Sequence, residues 1–421
     1  MSERLETWMQ RLVLVLPLLI LASRAGADAA IAVVALAFLA HCAGSRDWGW
    51  TRHWAARLSL LWWAWVVVCS LPVAGLGAGG LHSLIQAVLL GRYLLFAAAL
   101  WVWLLRGAAA RRRLSAVLAV AAGWIILQCW QQYLFGVNLL GDHRWMDGAL
   151  TGPFQGPRAG PELVLILFPA ILPGTLWLLN SPRWSRRALG VAWFGAGVLT
   201  MVLIGQRMPA LLTGLGLVLC SLVLPRLRRV ALAGLAAAFV LVAATPVISP
   251  PTFHKLVIHF SQQMRHFPES DYGQLYIRAT VMGLQNPWTG LGFDGFRDHC
   301  REARYKKGLP RLGIPDGDAQ SPGACNIHPH NHYLEALTES GFPGLILFCL
   351  TVLAWLLTMA RGLGRGDPIG AACLIGAVLA FWPLASTSAL FTLPNAGWIF
   401  LVLGMGLAAL AGPAASDATR A

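Results

Sequence analysis

The sequence is poor in charge. Only 12% of its 421 residues are Asp, Glu, Lys or Arg, whereas 57% are hydrophobic. An ordinary soluble domain carries about 25% charged residues, so this class of protein is excluded. Several apolar runs reach the length of about 20 residues that crosses a bilayer as a helix, which satisfies its own backbone hydrogen bonds. We therefore expect an all-α integral membrane protein.

Lysine is also scarce, since it occurs only at Lys255, Lys306 and Lys307. Almost every cation is an arginine, whose planar guanidinium binds phosphate through two hydrogen bonds. The formal net charge of +14 would indicate nucleic acid in a soluble protein. Here the basic residues lie between apolar runs, which indicates membrane topology and lipid headgroups. We expect membrane lipids as partners, and no nucleic acid.

The sequence has neither an internal repeat of fixed period nor a cleavable signal pattern. The polar residues 1–10 lead through Arg11 into the first of many apolar runs, so we expect that run to remain as an anchor. About twelve spans are predicted. They lie near 12–23, 27–43, 58–76, 81–105, 114–135, 161–180, 188–205, 209–224, 230–248, 342–360, 368–387 and 395–411.

Arginines are concentrated in every second connection between these spans. They are Arg46, Arg52, Arg57, Arg106, Arg111, Arg112, Arg113, Arg183, Arg186, Arg187, Arg226, Arg228, Arg229, Arg361 and Arg365. Positive charge resists translocation, so this side is predicted to be cytoplasmic, together with both termini. The chain then divides into spans one to nine (1–248), a large loop on the opposite side (249–341), and spans ten to twelve with the C-terminus (342–421).

Two connections, 135–160 and 249–341, are long enough to carry function. In the larger one, apolar residues recur at helical spacing over 252–267, which fits either a helix on the membrane surface or an ordinary packed helix. Cys300 and Cys325 are the only cysteines of this loop. Because an oxidising compartment favours disulfides, we expect these two cysteines to be bonded to each other.

The most specific stretch, 328–344, has the sequence HPHNHYLEALTESGFPG. Pro329 suits the first turn of a helix and Gly341 the position just past a helix end, so a short helix is predicted at the membrane boundary. A neutral histidine there can take a proton from an attacking hydroxyl near neutral pH. His330 is the candidate for this role.

A metal site is the alternative for these histidines. His328 and His332 are four residues apart and would share one face of the predicted helix with Glu335 nearby, a spacing that can hold zinc. The sequence has no His-Glu-x-x-His motif, and no Asp-x-Asp motif stands beside the candidate residues. We therefore predict neither a metal nor a cofactor.

His330-Asn331, nine residues, Gly341, two residues and Gly344 resemble the signature of the O-antigen ligase family. That family shares its signature domain with O-antigen polymerases and protein O-oligosaccharyltransferases. The motifs cover roughly the second half of the chain, and the pattern of spans is similar over the rest. The resemblance implies a glycosyltransferase of the bacterial inner membrane with a periplasmic active site, in which His330 is the general base.

Two arginines resemble positions that this family uses on the donor pyrophosphate. Arg207 follows Gly205-Gln206 between spans seven and eight, although Met208-Pro209 replaces the small-residue context that is commoner in the family. Arg278 precedes the turn at 286–292, with the sequence NPWTGLG. Both would stabilise charge that grows on the leaving group in the transition state.

The other long loop contributes Arg158, which either lines the phosphate site or pairs with Glu162. Further candidates for substrate contact are Arg265, Lys255, Asn331 and His332.

By resemblance, the enzyme would transfer O-antigen polysaccharide from undecaprenyl pyrophosphate to lipid A–core oligosaccharide, with inversion and without a metal. An O-antigen polymerase or a protein O-oligosaccharyltransferase would use the same donor. A polytopic lipid or glycan transporter also suits twelve spans, but transporters place polar groups near the bilayer midplane. Here the polar cluster lies in the loops.

Overall fold

The computed structural model describes residues 3–76, 78–310, 313, 316 and 325–410. These residues form α-helices joined by turns and by short 3₁₀ and π segments, with no β-strand among them. The helices are α1 (Glu3–Ala22), α2 (Arg24–Ser45), α3 (Trp54–Cys69), α4 (Gly80–Ala99), α5 (Ala108–Phe135), α6 (Ala159–Leu179), α7 (Trp184–Leu203), α8 (Arg207–Val223), α9 (Arg228–Ile248), α10 (Pro250–Phe253), α11 (His259–Arg265), α12 (Asp271–Gln285), α13 (Gly295–His299), α14 (His332–Arg361), α15 (Pro368–Ala380) and α16 (Asn395–Leu410).

Eight helical segments in the described part of the chain are long and apolar enough to cross a membrane. Four shorter apolar helices, α3, α8, α15 and α16, accompany them. Each of these twelve overlaps one predicted span, and the prediction of an all-α integral membrane protein is confirmed. Twelve crossings stay a prediction, because the four short helices have only 13 to 17 residues.

The eleventh predicted span, placed at 368–387, extends past the end of its helix. Helix α15 ends at Ala380, and residues 381–394 form a non-helical loop. Pro383 contributes to this end, because helical backbone is disfavoured in the residue before a proline. The predicted cytoplasmic tail after Leu410 lies outside the residues that the structure describes.

Helix α16 lies at the centre of the bundle, since every residue from Ala396 to Leu410 is buried. A helix that is apolar on all sides suits this position. Helix α9 is peripheral, because Ala231 and Thr245 are its only buried residues. Its exposed apolar side chains are typical of a helix at the lipid boundary.

The two ends of the bundle differ. At one end, Arg111 donates from Nη2 to Asp367 at 3.1 Å, and Arg361 lies over the ring of Trp54. This arginine-rich end carries connections that precede α3, α5 and α15. The opposite end, which we call the loop end, carries residues 136–158, 204–206, 249–310, 325–331 and 381–394.

Helix α14 starts later than predicted. Asn331 is its N-cap and accepts hydrogen bonds from the N–H groups of Tyr333 and Leu334, so Pro329 and His330 precede the helix. An N-cap residue has extended backbone, here φ −152° and ψ 125°, which prevents the helix from starting earlier. The prediction that His328 and His332 share one face of a helix is therefore wrong.

The predicted break at Gly341 is present. Its φ of 65° and ψ of −169° interrupt α14 between Ser340 and Phe342. The turn at 286–292 packs against this break by main-chain contacts, because Leu291 N–H donates to Thr338 O at 2.9 Å and Phe342 N–H donates to Pro287 O at 2.7 Å. The two glycine-containing motifs of the sequence are thus joined backbone to backbone.

Candidate functional site

His330 lies in the loop before α14, with a left-handed φ of 54°. The main chain of Thr387 in the 381–394 loop holds it on two sides. Thr387 N–H donates to the His330 carbonyl oxygen at 2.8 Å, and the Thr387 carbonyl oxygen lies 3.0 Å from His330 Nδ1. The imidazole is therefore fixed by backbone atoms that come from a distant part of the chain.

These contacts select the tautomer of the ring. A carbonyl oxygen can only accept, so Nδ1 carries the hydrogen and Nε2 of the neutral ring keeps its lone pair. Asn326 Nδ2 lies 3.2 Å from that Nε2. Burial lowers the pKa of His330 below its ordinary value. The ring is thus neutral near pH 7, with Nε2 ready to accept a proton.

The two neighbouring histidines are buried. The ring of His328 lies 4.2 Å from that of His330, and burial lowers the pKa of His328 to about 4. His332 Nδ1 is 3.3 Å from the Thr387 hydroxyl and 3.7 Å from the Glu335 carboxylate. Across the described ranges, no group of three or more His, Cys, Asp or Glu side chains is arranged to hold a metal ion.

Tyr272 is the second aromatic neighbour of His330. Its ring meets the imidazole edge-on, with 5.4 Å between the ring centroids. Ser270 caps α12 by accepting from Gly273 N–H, which puts Tyr272 in the first turn of that helix. Tyr272 also lies within electrostatic range of Arg207. It therefore contacts the histidine predicted from the sequence and influences the charge of the arginine at longer range.

Arg207 is the first residue of α8, and its Nη1 donates to the Gln263 side chain. The positive end of the α8 dipole adds to its charge. Gln206 connects this helix end to the other long loop, because it donates to Pro157 O at 2.6 Å and accepts from Gly160 N–H at 3.0 Å. An anion at this point would meet a positive helix end.

Arg158 is exposed in the segment that Gln206 holds. It precedes α6 directly, and its carbonyl accepts from Glu162 N–H. The Glu162 side chain accepts instead from Trp398 at 3.2 Å, so the alternative of an Arg158–Glu162 ion pair is not what the structure has. The guanidinium of Arg158 has no ion-pair partner among the described residues.

Arg278 occupies a different environment from Arg207. It is 3% exposed, its Nη1 donates to the Cys300 carbonyl oxygen at 3.1 Å, and its Nε and Nη2 have no partner among the described residues. Burial lowers its pKa. The two arginines that the sequence assigned to one pyrophosphate have no common contact partner in the described structure.

Four weaker candidates have other surroundings. Lys255 forms an ion pair with Asp147, and Arg265 is exposed at the end of α11. Asn331 caps α14 and donates to Pro383 O at 2.8 Å, so its amide serves the backbone. His332 is 4% exposed behind His330. Among the described residues, no hydrogen bond or ion pair joins any of them to Arg207.

Cys300 and Cys325 are joined by a disulfide, with their Cα atoms 5.6 Å apart. Cys300 is fully buried at the end of α13, in a small apolar cluster with Leu275 and Phe296. A cavity of about 250 Å³ opens nearby between Phe267 and Tyr276, whose rings meet edge-on.

Sequence reasoning missed three residues around His330. Thr387 was assigned to a span, Tyr272 was not considered, and Asn326 lay outside the motif. None of them carries a local signal, since Thr387 is 57 positions from His330 and Tyr272 lies on another helix. Gln206 was also missed, although its position beside Arg207 is a local signal.

Two comparisons bear on this arrangement. A family model described as O-antigen ligase matches residues 166–349. No curated protein matches the sequence. The matched range includes Arg207, Arg278 and His330 and extends into α14 past the break at Gly341. Residues 166–349 therefore match an O-antigen ligase domain, and the resemblance stated from the sequence is confirmed for this part of the chain.

Proposed function

We propose that this protein is an O-antigen ligase. It transfers O-antigen polysaccharide from undecaprenyl pyrophosphate to lipid A–core oligosaccharide, without a metal or a cofactor. The observation that carries the proposal is the orientation of His330. Its Nδ1 is committed to the Thr387 carbonyl, and Nε2 keeps a lone pair on a neutral ring.

His330 acts as the general base. Nε2 takes the proton of a hydroxyl on the acceptor sugar while that oxygen attacks the anomeric carbon of the donor. The bond from that carbon to the pyrophosphate oxygen breaks, and its electron pair leaves with the pyrophosphate. A single displacement inverts the anomeric configuration. The pKa of His330, lowered by burial, keeps the ring in the basic form at neutral pH.

Arg207 stabilises the departing pyrophosphate. The negative charge of this group grows as the bond breaks, so a guanidinium placed there binds the transition state more tightly than the ground state. The N-terminus of α8 acts in the same direction. Arg158, held nearby by Gln206, supplies a second cation. Arg278 is assigned to the same pyrophosphate through its two unpaired nitrogens, Nε and Nη2, which are buried in the free protein.

The loop end faces the periplasm, and the arginine-rich end faces the cytoplasm. This orientation follows the rule that positive charge stays on the cytoplasmic side. Residues 249–341 are then the periplasmic catalytic segment, between spans 1–248 and 342–421. Both substrates remain anchored in the bilayer by their lipid chains while their head groups meet His330.

Reconstitution of the purified protein tests the proposal. Undecaprenyl pyrophosphate-linked glycan and lipid A–core are supplied in vesicles with EDTA and no nucleotide, and the glycosylated core is measured. His330→Ala should lower the rate by about 10²–10⁴-fold. Arg207→Ala should lower it by about 10²–10³-fold, and Arg207→Lys by less, because lysine keeps the charge but loses the two-point geometry.

Matched controls are His143→Ala and Arg229→Ala, since both side chains are exposed and neither is part of the proposed site. Their rates should equal that of the wild type. Wild-type rates in the His330→Ala variant would contradict the proposal. Elongation of a second lipid-linked glycan in place of lipid A–core would identify a polymerase instead.

A further inference from the structure

Asn326 covers the reactive nitrogen of His330. Its Nδ2 lies 3.2 Å from His330 Nε2, and its Oδ1 accepts from Ile327 N–H at 2.7 Å. Because the amide oxygen is committed to that N–H, the NH₂ group is the part that faces the imidazole. Nδ1 is already bonded to Thr387 O. Asn326 therefore donates to Nε2, which is the only nitrogen of the neutral ring that can still accept a hydrogen bond.

The approach to Nε2 is open on the Asn326 side. Asn326 is exposed, whereas the rings of His328 and His332 behind it are buried. An acceptor hydroxyl that delivers its proton to Nε2 must arrive where the Asn326 amide now lies. The amide and the hydroxyl cannot both donate a well-aligned hydrogen bond to the single lone pair of Nε2.

The disulfide holds Asn326 in this position. Asn326 directly follows Cys325, which is bonded to Cys300, and the Asn326 carbonyl oxygen lies 3.9 Å from Cys300 Sγ. Arg278 in turn donates to the Cys300 carbonyl at 3.1 Å. A chain of contacts thus connects the buried face of α12 to the exposed amide of Asn326 beside the imidazole.

We propose that Asn326 is a positioning residue that holds His330 Nε2 as a hydrogen-bond acceptor in the free enzyme and is displaced by the hydroxyl of the acceptor sugar. The proposal rests on the function proposed above, in which His330 is the base. An O–H donor replaces an N–H donor, so the protonation state of the ring does not change when the substrate binds. The disulfide limits how far the displaced amide moves.

Three other titratable groups face this ring. They are His328 in the same loop, Tyr272 on α12 and Glu335 on α14, while the 381–394 loop presents main-chain atoms of Thr387. None of them is altered by a substitution at Asn326. A change in the pH profile of an Asn326 variant therefore reports the amide itself.

The pH dependence of Asn326→Ala tests the proposal. A donor to Nε2 favours the neutral ring, so its removal raises the pKa of His330 in the free enzyme. The acid limb of kcat/KM for lipid A–core should move up by about 0.5 to 1 pH unit. The acid limb of kcat should stay in place, because the amide has already left in the substrate complex.

Two further variants sharpen the result. Asn326→Asp places a carboxylate beside Nε2, which favours the protonated ring and should move the kcat/KM limb further in the same direction. Cys325→Ser releases Asn326 from Cys300 and should move it in that direction by a smaller amount. The matched controls are Asn180→Ala and Cys349→Ser, both exposed and remote from the disulfide, which should leave both limbs unchanged.

The outcomes separate this proposal from the function on which it rests. An unchanged kcat/KM limb in Asn326→Ala and Asn326→Asp would overturn the positioning role, even if His330→Ala is inactive. Equal shifts in both limbs would show that the amide stays on Nε2 during the reaction, which would overturn its displacement. An active His330→Ala variant would show that His330 is not the base, which would overturn the proposed function. If Cys325→Ser folds poorly, the two Asn326 variants decide alone.

Discussion

Gly341 offers a test of the backbone contact that shapes the site. Its φ of 65° and ψ of −169° lie in a region that only glycine enters readily. A Cβ atom there would lie 2.6 Å from the carbonyl oxygens of both Pro287 and Trp288. Those atoms belong to the main chain of the neighbouring turn, so they cannot move aside as a flexible side chain could.

The expected cost of Gly341→Ala follows from these two effects. The strained backbone costs about 1–3 kcal/mol, and forcing the turn away costs about 1–3 kcal/mol more. The free energy of unfolding should therefore fall by about 2–6 kcal/mol. At about 2.1 cal/mol/K of unfolding entropy per residue, a chain of 421 residues loses about 1 °C of Tm per kcal/mol.

Thermal unfolding in detergent, followed by tryptophan fluorescence, measures this loss. Gly366→Ala is the matched control, because its φ of 71° carries the left-handed penalty but a Cβ there meets nothing within 4 Å. Gly364→Ala meets nothing either and has no left-handed φ, so it should be near neutral. If Gly341→Ala unfolds at the same temperature as Gly366→Ala, the main chain at Gly341 does not lie as close to the 286–292 turn as described here.

Two other expectations concern pH and the opposite end of the bundle. If His330 is the proposed base, the rate of ligation should stay high as the pH falls to the ordinary histidine value of 6.5 and drop only below it, because burial lowers the pKa of His330. A pH profile of kcat/KM checks this, because that ratio reports the protonation state of the free enzyme. Asp367→Ala should lower Tm more than Asp367→Asn, since both remove the carboxylate from Arg111 but only alanine removes the cap of α15, about 1 kcal/mol.

The sequence predicted the helices well because lipid leaves a chain few alternatives. Every predicted span overlaps an apolar helix, since a backbone that crosses hydrocarbon must satisfy its own hydrogen bonds. The start of α14 was harder to predict. Pro329 and Asn331 are both helix-start residues, and the carboxamide of Asn331, which caps two N–H groups, decided the outcome.

The surroundings of His330 could not be read from local sequence. The apolar run that ends near Thr387 resembles the end of a span, and nothing near it indicates that the loop turns back to a residue 57 positions earlier. The segment 252–267 was also predicted only in part. Its helical spacing was recognised, but the π-helical turn His254–Ile258 that divides it into α10 and α11 was not.

The orientation of the proposed base depends on a carbonyl group that every amino acid possesses. Any residue at position 387 that preserves the path of the loop can present that oxygen, and the threonine hydroxyl serves only His332. Substitution of Thr387 by alanine would thus spare the imidazole, whereas shortening the 381–394 loop by one residue would misalign it. The feature that aligns the histidine is therefore the length and course of a connection, which leaves little trace in the identity of its side chains.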